Sequence, residues 1–277
     1  MKLKTFLPLV TYPDAASETS IANAVAASRL LGAELNALAL EVEIPQVSNA
    51  LSRALLDVGE MIKDAHKLSA HRAGELLVDV KAKAAAASIA TQTAVLRSAP
   101  ALLGEAAGER ARYFDLALLG LEPENAGTRM VAEGVIFGSG KPSLLLPVAA
   151  KLGKLDRIAI AWDGSRVAAR AVADARLLLE RASSVSIVTV TDEKPLKDKD
   201  SGEKLAESLR DAGLKAKFDT IRAESGPIAA TLQRYAAEHA DLLVMGGYGH
   251  SRLRDFVLGG ATEGVLSDLK LPILLSH

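Results

Sequence analysis

Cysteine is absent from the chain, which excludes disulfides and thiolate metal sites and fits a reducing compartment. Aromatic residues are scarce at 4%, so the core has to be built from aliphatic side chains. With 49% hydrophobic and 24% charged residues, the balance is that of a helix-rich globule and not of a disordered chain. No apolar run reaches the roughly 18 residues of a membrane-spanning helix. The opening MKLKTFLPLVTYPDAASETS has an apolar core too short and too soon broken for a signal peptide, so a cytoplasmic protein is expected. Charge of one sign is missing too. A formal net charge of -1 supplies no basic field for a nucleic acid or an anionic membrane, and neither is expected as a partner.

What is present is a repeat. FDLALLGLE (114–122) and ADLLVMGGY (240–248) each begin an apolar run with Asp and end it at Gly, and in each half a later proline, Pro142 or Pro272, opens another aliphatic strand. The length of 277 residues accommodates two domains of about 140. In the second half RIAIAWDGS (157–165), VSIVTV (185–190), LKAKFDTIRA (214–223) and the run at 241–245 read as strands, separated by helices over 166–181, 202–213 and 225–240. The first half reads as strands near 4–10, 34–41, 88–95, 115–120 and 143–147 with helices near 19–32, 48–75 and 99–112. Strands that alternate with helices and are continuously aliphatic imply parallel sheets covered on both faces. The expected fold is therefore α/β, two similar open parallel-sheet domains of Rossmann-like type with helices on both faces, over 1–150 and 151–277.

In such a sheet ligands bind beyond the carboxyl ends of the strands. The second half delivers three loops to that edge, beginning at Asp163, at Val190 and at Gly246. Gly246, Gly249, Gly259 and Gly260 leave backbone uncrowded ahead of the helix-like ATEGVLSDL (261–269), whose N-terminus suits a phosphate. Thr262 adds a hydroxyl, and His250, Arg252 and Arg254 in the intervening loop are second-rank phosphate contacts. Each feature also has a plain structural reading. The glycines can serve turns alone, Asp163-Gly164 is a strong turn signal, and the loop cations can be solvated.

AWDGS, VSIVTVTDE, ADLLVMGGYGHSRLRDFVLGGATE and LPILLS resemble a universal stress protein domain, and the whole chain resembles the tandem form. That resemblance implies an ATP-binding protein of the stress response, sensing or regulatory and not catalytic, with ADP and AMP as alternative ligands and magnesium as an accompanying ion. It carries the nucleotide-binding roles onto Asp163, Val190, Gly246, Gly249, Gly259, Gly260, Ala261 and Thr262. Gly260 stands where the family signature has Ser or Thr, which removes a hydroxyl at a cost of about 0.5–1.5 kcal/mol. It also implies that the terminal strands SLLLP and ILLSH are paired, the two domains making that contact within the chain. Further homodimerisation and a protein partner stay open.

The first half departs from the signature, with Thr11 near the position of Asp163 and Pro123 where a signature glycine is expected, so it is read as a degenerate copy. GSGK (138–141) fails as a P-loop, because the first glycine position is Val135 and Pro142 replaces the hydroxyl that holds magnesium. His66 and His71 are five residues apart and do not share a helical face, so no metal is expected. No nucleophile signature points to an enzyme. The alternative function is a structural or interaction module that binds no nucleotide.

Overall fold

Aliphatic runs become strands throughout, and the polar or glycine-bearing intervals become turns and helix caps. The computed structural model describes residues 2–45, 58–149, 151–192, 198–223, 227–247 and 260–277. The chain divides into two compact units, Met1–Ser139 with Val148–Lys151, and Gly140–Pro147 with Leu152–His277. In the first, β1 (Lys4–Val10), β2 (Glu34–Val42), β3 (Thr91–Ser98) and β4 (Leu116–Leu121) lie in the order β3-β2-β1-β4, all pairs parallel. Its helices are α1 (Glu18–Leu31), α2 (Val58–Ala86), α3 (Leu103–Ala111) and α4 (Ala126–Gly138).

The second unit carries β5 (Ser143–Pro147), β6 (Arg157–Ala161), β7 (Ser184–Val190), β8 (Ala216–Ile221), β9 (Leu242–Gly246) and β10 (Ile273–Ser276) in the order β5-β10-β9-β6-β7-β8. Its helices are α5 (Arg166–Asp174), α6 (Arg176–Leu179), α7 (Ser201–Asp211), α8 (Ile228–His239) and α9 (Gly260–Ser267). The sheets are mostly parallel with helices on both faces. The departure is β5, which pairs antiparallel with β10. That pairing covers what would otherwise be an open edge, and it puts β5 in the second unit although it lies before residue 150. Among the described residues no helix is long and apolar enough to cross a membrane.

Three local differences from the sequence reading have physical causes. Helix α4 falls in a stretch read only as loop; Asn125 caps it by accepting from the Thr128 N–H, and Val131, Val135 and Ile136 form its buried side. The alanine-rich run carries α2 on to Ala86, as alanine's helix propensity favours, and Ser88 turns the chain with φ 57 before β3. The helix expected over 166–181 is instead two, α5 and α6, meeting at Ala175.

The aspartates that open the repeated runs are clamps at the amino ends of the strands, far from any ligand edge. Asp115 accepts the Lys4 N–H at 2.8 Å and returns its own N–H to Lys4 O at 2.9 Å. Asp241 does the same for Arg157, accepting its N–H at 2.9 Å and its guanidinium at 2.9 Å, and donating to its carbonyl at 2.7 Å. Burial pushes the Asp241 carboxyl up, but the bonds from Arg157 and the Asp156 N–H outweigh it and hold the group below its ordinary value of 3.8. Asp241→Ala is expected to cost about 1.5–3 kcal/mol, the range for bonds to a charged group. A depressed folded pKa stabilises the fold above the unfolded value and loses that contribution as pH falls through the folded one. The difference between wild type and Asp241→Ala in urea melts should therefore be full near neutrality and shrink below about pH 4.

Elsewhere in the second unit Tyr235 of α8 donates to Asp219 of β8 at 2.5 Å. Burial, then that bond, pushes the phenol up to about 12. The pair ties α8 to the edge strand. In the first unit α3 and α4 meet glycine to glycine: a Cβ on Gly134 would stand 2.2 Å from the Gly104 carbonyl oxygen, and one on Gly108 2.4 Å from that of Gly134.

Candidate functional site

The carboxyl edge of the second sheet is set by strand register. Ala161 faces Val188 across β6 and β7, so two residues on Asp163 is level with Val190. Ile160 faces Val244 across β6 and β9, so Gly246 is level with Trp162, and Ser276 of β10 faces Gly246. Asp163, Val190 and Gly246 thus come to one edge as the sequence predicts. Ala261 and Thr262 lie in the first turn of α9, Ala261 half-buried and Thr262 buried at 3% exposure. Gly260 is the first residue of that helix. Gly249, His250, Arg252, Arg254 and Gly259 lie outside the described residues.

Helix α5 begins at this edge. Ser165 caps it, its hydroxyl accepting from the Ala168 N–H at 3.2 Å, and Asp163 Oδ1 accepts the Ser165 N–H at 2.9 Å. Gly164 makes the turn between them with φ +71, a conformation that favours glycine. Asp163 and Gly164 are exposed. The first turn of α5 sits directly on the end of β9, because a Cβ on Gly246 would come within 2.5 Å of the Val167 carbonyl carbon and 2.6 Å of the Ala168 nitrogen. Gly246 is therefore required by backbone-to-backbone packing between strand and helix. Its place in the signature has a structural cause in addition to any ligand.

Two residues that the sequence reading passed over belong to the same edge. Trp162, half-buried, donates its indole N–H to Ser201 Oγ at 3.3 Å. Its backbone is fixed to β7 through both polar groups, the N–H on Val188 O at 2.9 Å and the carbonyl accepting from Thr189 Oγ1 at 2.8 Å. The signal in the sequence was that the chain's single tryptophan directly precedes Asp163.

The first unit treats its corresponding edge differently. Phe6 faces Ala117 where Ala159 faces Leu243, so counting forward Val10, and not Thr11, is the counterpart of Asp163. Val10 is 2% exposed and Thr11 not at all. The Thr11 hydroxyl donates to Leu40 O at 2.7 Å. Residues 11–16 are longer than the corresponding turn in the second unit and are tied down over the edge. Arg72 donates to the Thr11 and Pro13 carbonyls, and Asn125 donates to the Asp14 carbonyl at 3.2 Å. The N-cap Ser17, matching Ser165, gives its N–H to Glu122 Oε1 at 2.7 Å. A carboxylate from the loop after β4 thereby occupies the start of α1. Gly120, matching Gly246, is filled by Ser20, whose Oγ lies 1.9 Å from a Cβ position there.

A sequence model of the universal stress protein family matches residues 154–277. These residues form a universal stress protein domain. The universal stress protein Slr1230 of Synechocystis sp. is 29% identical to this chain over 174 residues, 58% of this chain and 57% of that protein. The chain therefore spans little more than half the length of that relative. Among solved structures, a universal stress protein from Archaeoglobus fulgidus DSM 4304 superposes with a TM-score of 0.70 at 18% identity, covering 99% of this chain and 97% of its own. At that identity the likeness concerns the fold, and it extends over both units. A universal stress protein solved in complex with cAMP is 24% identical over 44% of this chain and 97% of its own, with a TM-score of 0.33.

Proposed function

We propose that the universal stress protein domain of the second unit binds an adenine nucleotide, ATP in the first place with magnesium, and that the chain acts as a sensor or regulator of the stress response. The observation that carries this reading is the contrast between the two carboxyl edges. In the second unit the start of α5 is satisfied locally by Asp163, leaving Asp163 and Gly164 exposed at the strand ends. In the first, the loop over 11–16, Glu122 and Asn125 close the same edge, and the first unit has no nucleotide role.

In this site Asp163 accepts hydrogen bonds from ligand hydroxyls and Val190 lines the base through its backbone. Gly246, Gly260, Ala261 and Thr262 bring main-chain N–H groups and the N-terminus of α9 to the phosphates, and Gly249 and Gly259 are given the same role from the sequence signature alone. The bound triphosphate would supply the charge that these donors neutralise; the described residues offer donors and acceptors for holding it. The competing reading, an interaction module without nucleotide, draws on Gly260 in place of a hydroxyl-bearing residue.

Thermal unfolding of the full chain with millimolar ATP and magnesium separates the two. Ligand at 100 times its Kd adds about 2.7 kcal/mol of stability, so a rise of several degrees is expected. An unchanged melting curve at every nucleotide concentration would favour the interaction module.

A further inference from the structure

We propose that Trp162 is the stacking wall for the nucleobase in the second unit, and that Ser201 is the positioning residue that fixes its indole. The inference rests on the nucleotide reading above and adds to it the residue that distinguishes a purine nucleotide from a bare polyphosphate.

A side chain that stacks on a base needs a broad apolar surface at the strand ends and a fixed orientation. Trp162 meets both conditions. It stands level with Gly246 and one residue before Asp163 on the carboxyl edge, and it is half-buried and not sealed in the core. Its backbone is held at both ends by β7. The indole N–H, the one polar group of the ring, is engaged by Ser201 Oγ at 3.3 Å, which leaves apolar surface for other contacts.

Ser201 is itself held in place. It opens α7, and the next residue, Gly202, lies so close to the Phe218 ring of β8 that a Cβ would be 2.1 Å from its Cε2. A Cβ on Gly164, the residue after Asp163, would lie 3.6 Å from Ser201 Oγ. Trp162, Gly164 and Ser201 therefore form one continuous group beyond the ends of β6 and β7, on the edge that also holds Asp163 and Val190. In the first unit the position that matches Trp162 is Leu9, fully buried. Aromatic side chains contribute strongly to base binding and do so without hydrogen-bond readout.

Because Trp162 is the only tryptophan, the intrinsic fluorescence of the full chain reports on this position alone. ATP and inorganic tripolyphosphate are titrated in parallel, by fluorescence and by calorimetry, into wild type, Trp162→Phe, Trp162→Leu and Ser201→Ala, with circular dichroism melts to verify folding. ATP is expected to change the tryptophan emission and tripolyphosphate to leave it unchanged. Trp162→Leu should weaken ATP about tenfold or more without altering tripolyphosphate affinity, while Trp162→Phe, which keeps a ring, stays within about threefold. Ser201→Ala should fall between them. The proposal is overturned if ATP binds calorimetrically but Trp162→Leu binds it as tightly as wild type, or loses ATP and tripolyphosphate equally. Absence of ATP heat in wild type removes the nucleotide reading itself, and the stacking role with it.

Discussion

Gly134→Ala is expected to cost about 2 kcal/mol or more, lowering the melting temperature by roughly 4–8 °C. Two effects oppose each other at this position. Alanine is the better helix former by about 1 kcal/mol, and in an isolated α4 the change would be favourable. Packing reverses the sign. The new methyl carbon would lie 2.2 Å from the Gly104 oxygen, 2.3 Å from its carbonyl carbon and 2.6 Å from its Cα. All three are backbone atoms, so no side chain can swing aside and the helices must separate. Two other helical glycines provide controls. Gly74 of α2 has nothing within 4 Å of a Cβ, so Gly74→Ala should gain about 0.5–1 kcal/mol. Gly138 has only ordinary contact, 3.8 Å from the Gly108 Cα, and Gly138→Ala should be near neutral. Opposite signs at Gly134 and Gly74, read in denaturant melts, test the packing directly.

Gly246→Ala is the second large effect, and it joins stability to the candidate site. The methyl carbon would be driven into the Val167 carbonyl carbon at 2.5 Å and the Ala168 nitrogen at 2.6 Å, the first turn of α5. Helix and strand can accommodate it only by moving apart, at about 1–3 kcal/mol. The displaced turn is the one capped by Ser165 and held by Asp163, so nucleotide affinity should fall by about tenfold or more. Gly247→Ala is the comparison. Its nearest neighbour would be the Leu275 Cγ at 3.4 Å, part of a side chain that can adjust, and both stability and affinity should change by less than about 1 kcal/mol. Melts and calorimetry on the two variants separate the close helix contact from a general intolerance of side chains in this loop.

Much of this architecture was legible in the chain because the strands are continuous aliphatic runs. LLVM between Asp241 and Gly246 can only be a buried strand of ordinary length, and Ser165 ahead of an apolar 3.6-residue period announces α5. The strand ends then place Asp163, Val190 and Gly246 on one edge by connectivity alone. What the sequence could not convey was the origin of its own repeats. Asp115 and Asp241 recur because each clamps the start of the neighbouring strand, a contact that spans more than 80 residues and leaves no local trace. Gly246 reads as a ligand-loop glycine, yet its nearest neighbours are the backbone of α5. Helix α4 was missed because its glycines, Gly127, Gly134 and Gly138, look like breaks; at Gly134 the glycine is what admits α3. Trp162 was overlooked because its partner, Ser201, is 39 residues away. Long-range polar partners also close the first unit's edge, where Glu122 reaches Ser17 across 105 residues.

Among the described residues, side chains close the first unit's carboxyl edge while Asp163 and Gly164 of the second stay exposed, and the proposal sets the number of ligands accordingly. Calorimetric titration of the full chain with ATP and magnesium measures it most directly. One nucleotide per chain is predicted. Asp163→Ala should weaken it by about tenfold or more, whereas Asp163→Asn, which keeps an acceptor for the Ser165 N–H, should weaken it less. Two equivalent nucleotides per chain, or no heat at millimolar ATP, would contradict the account.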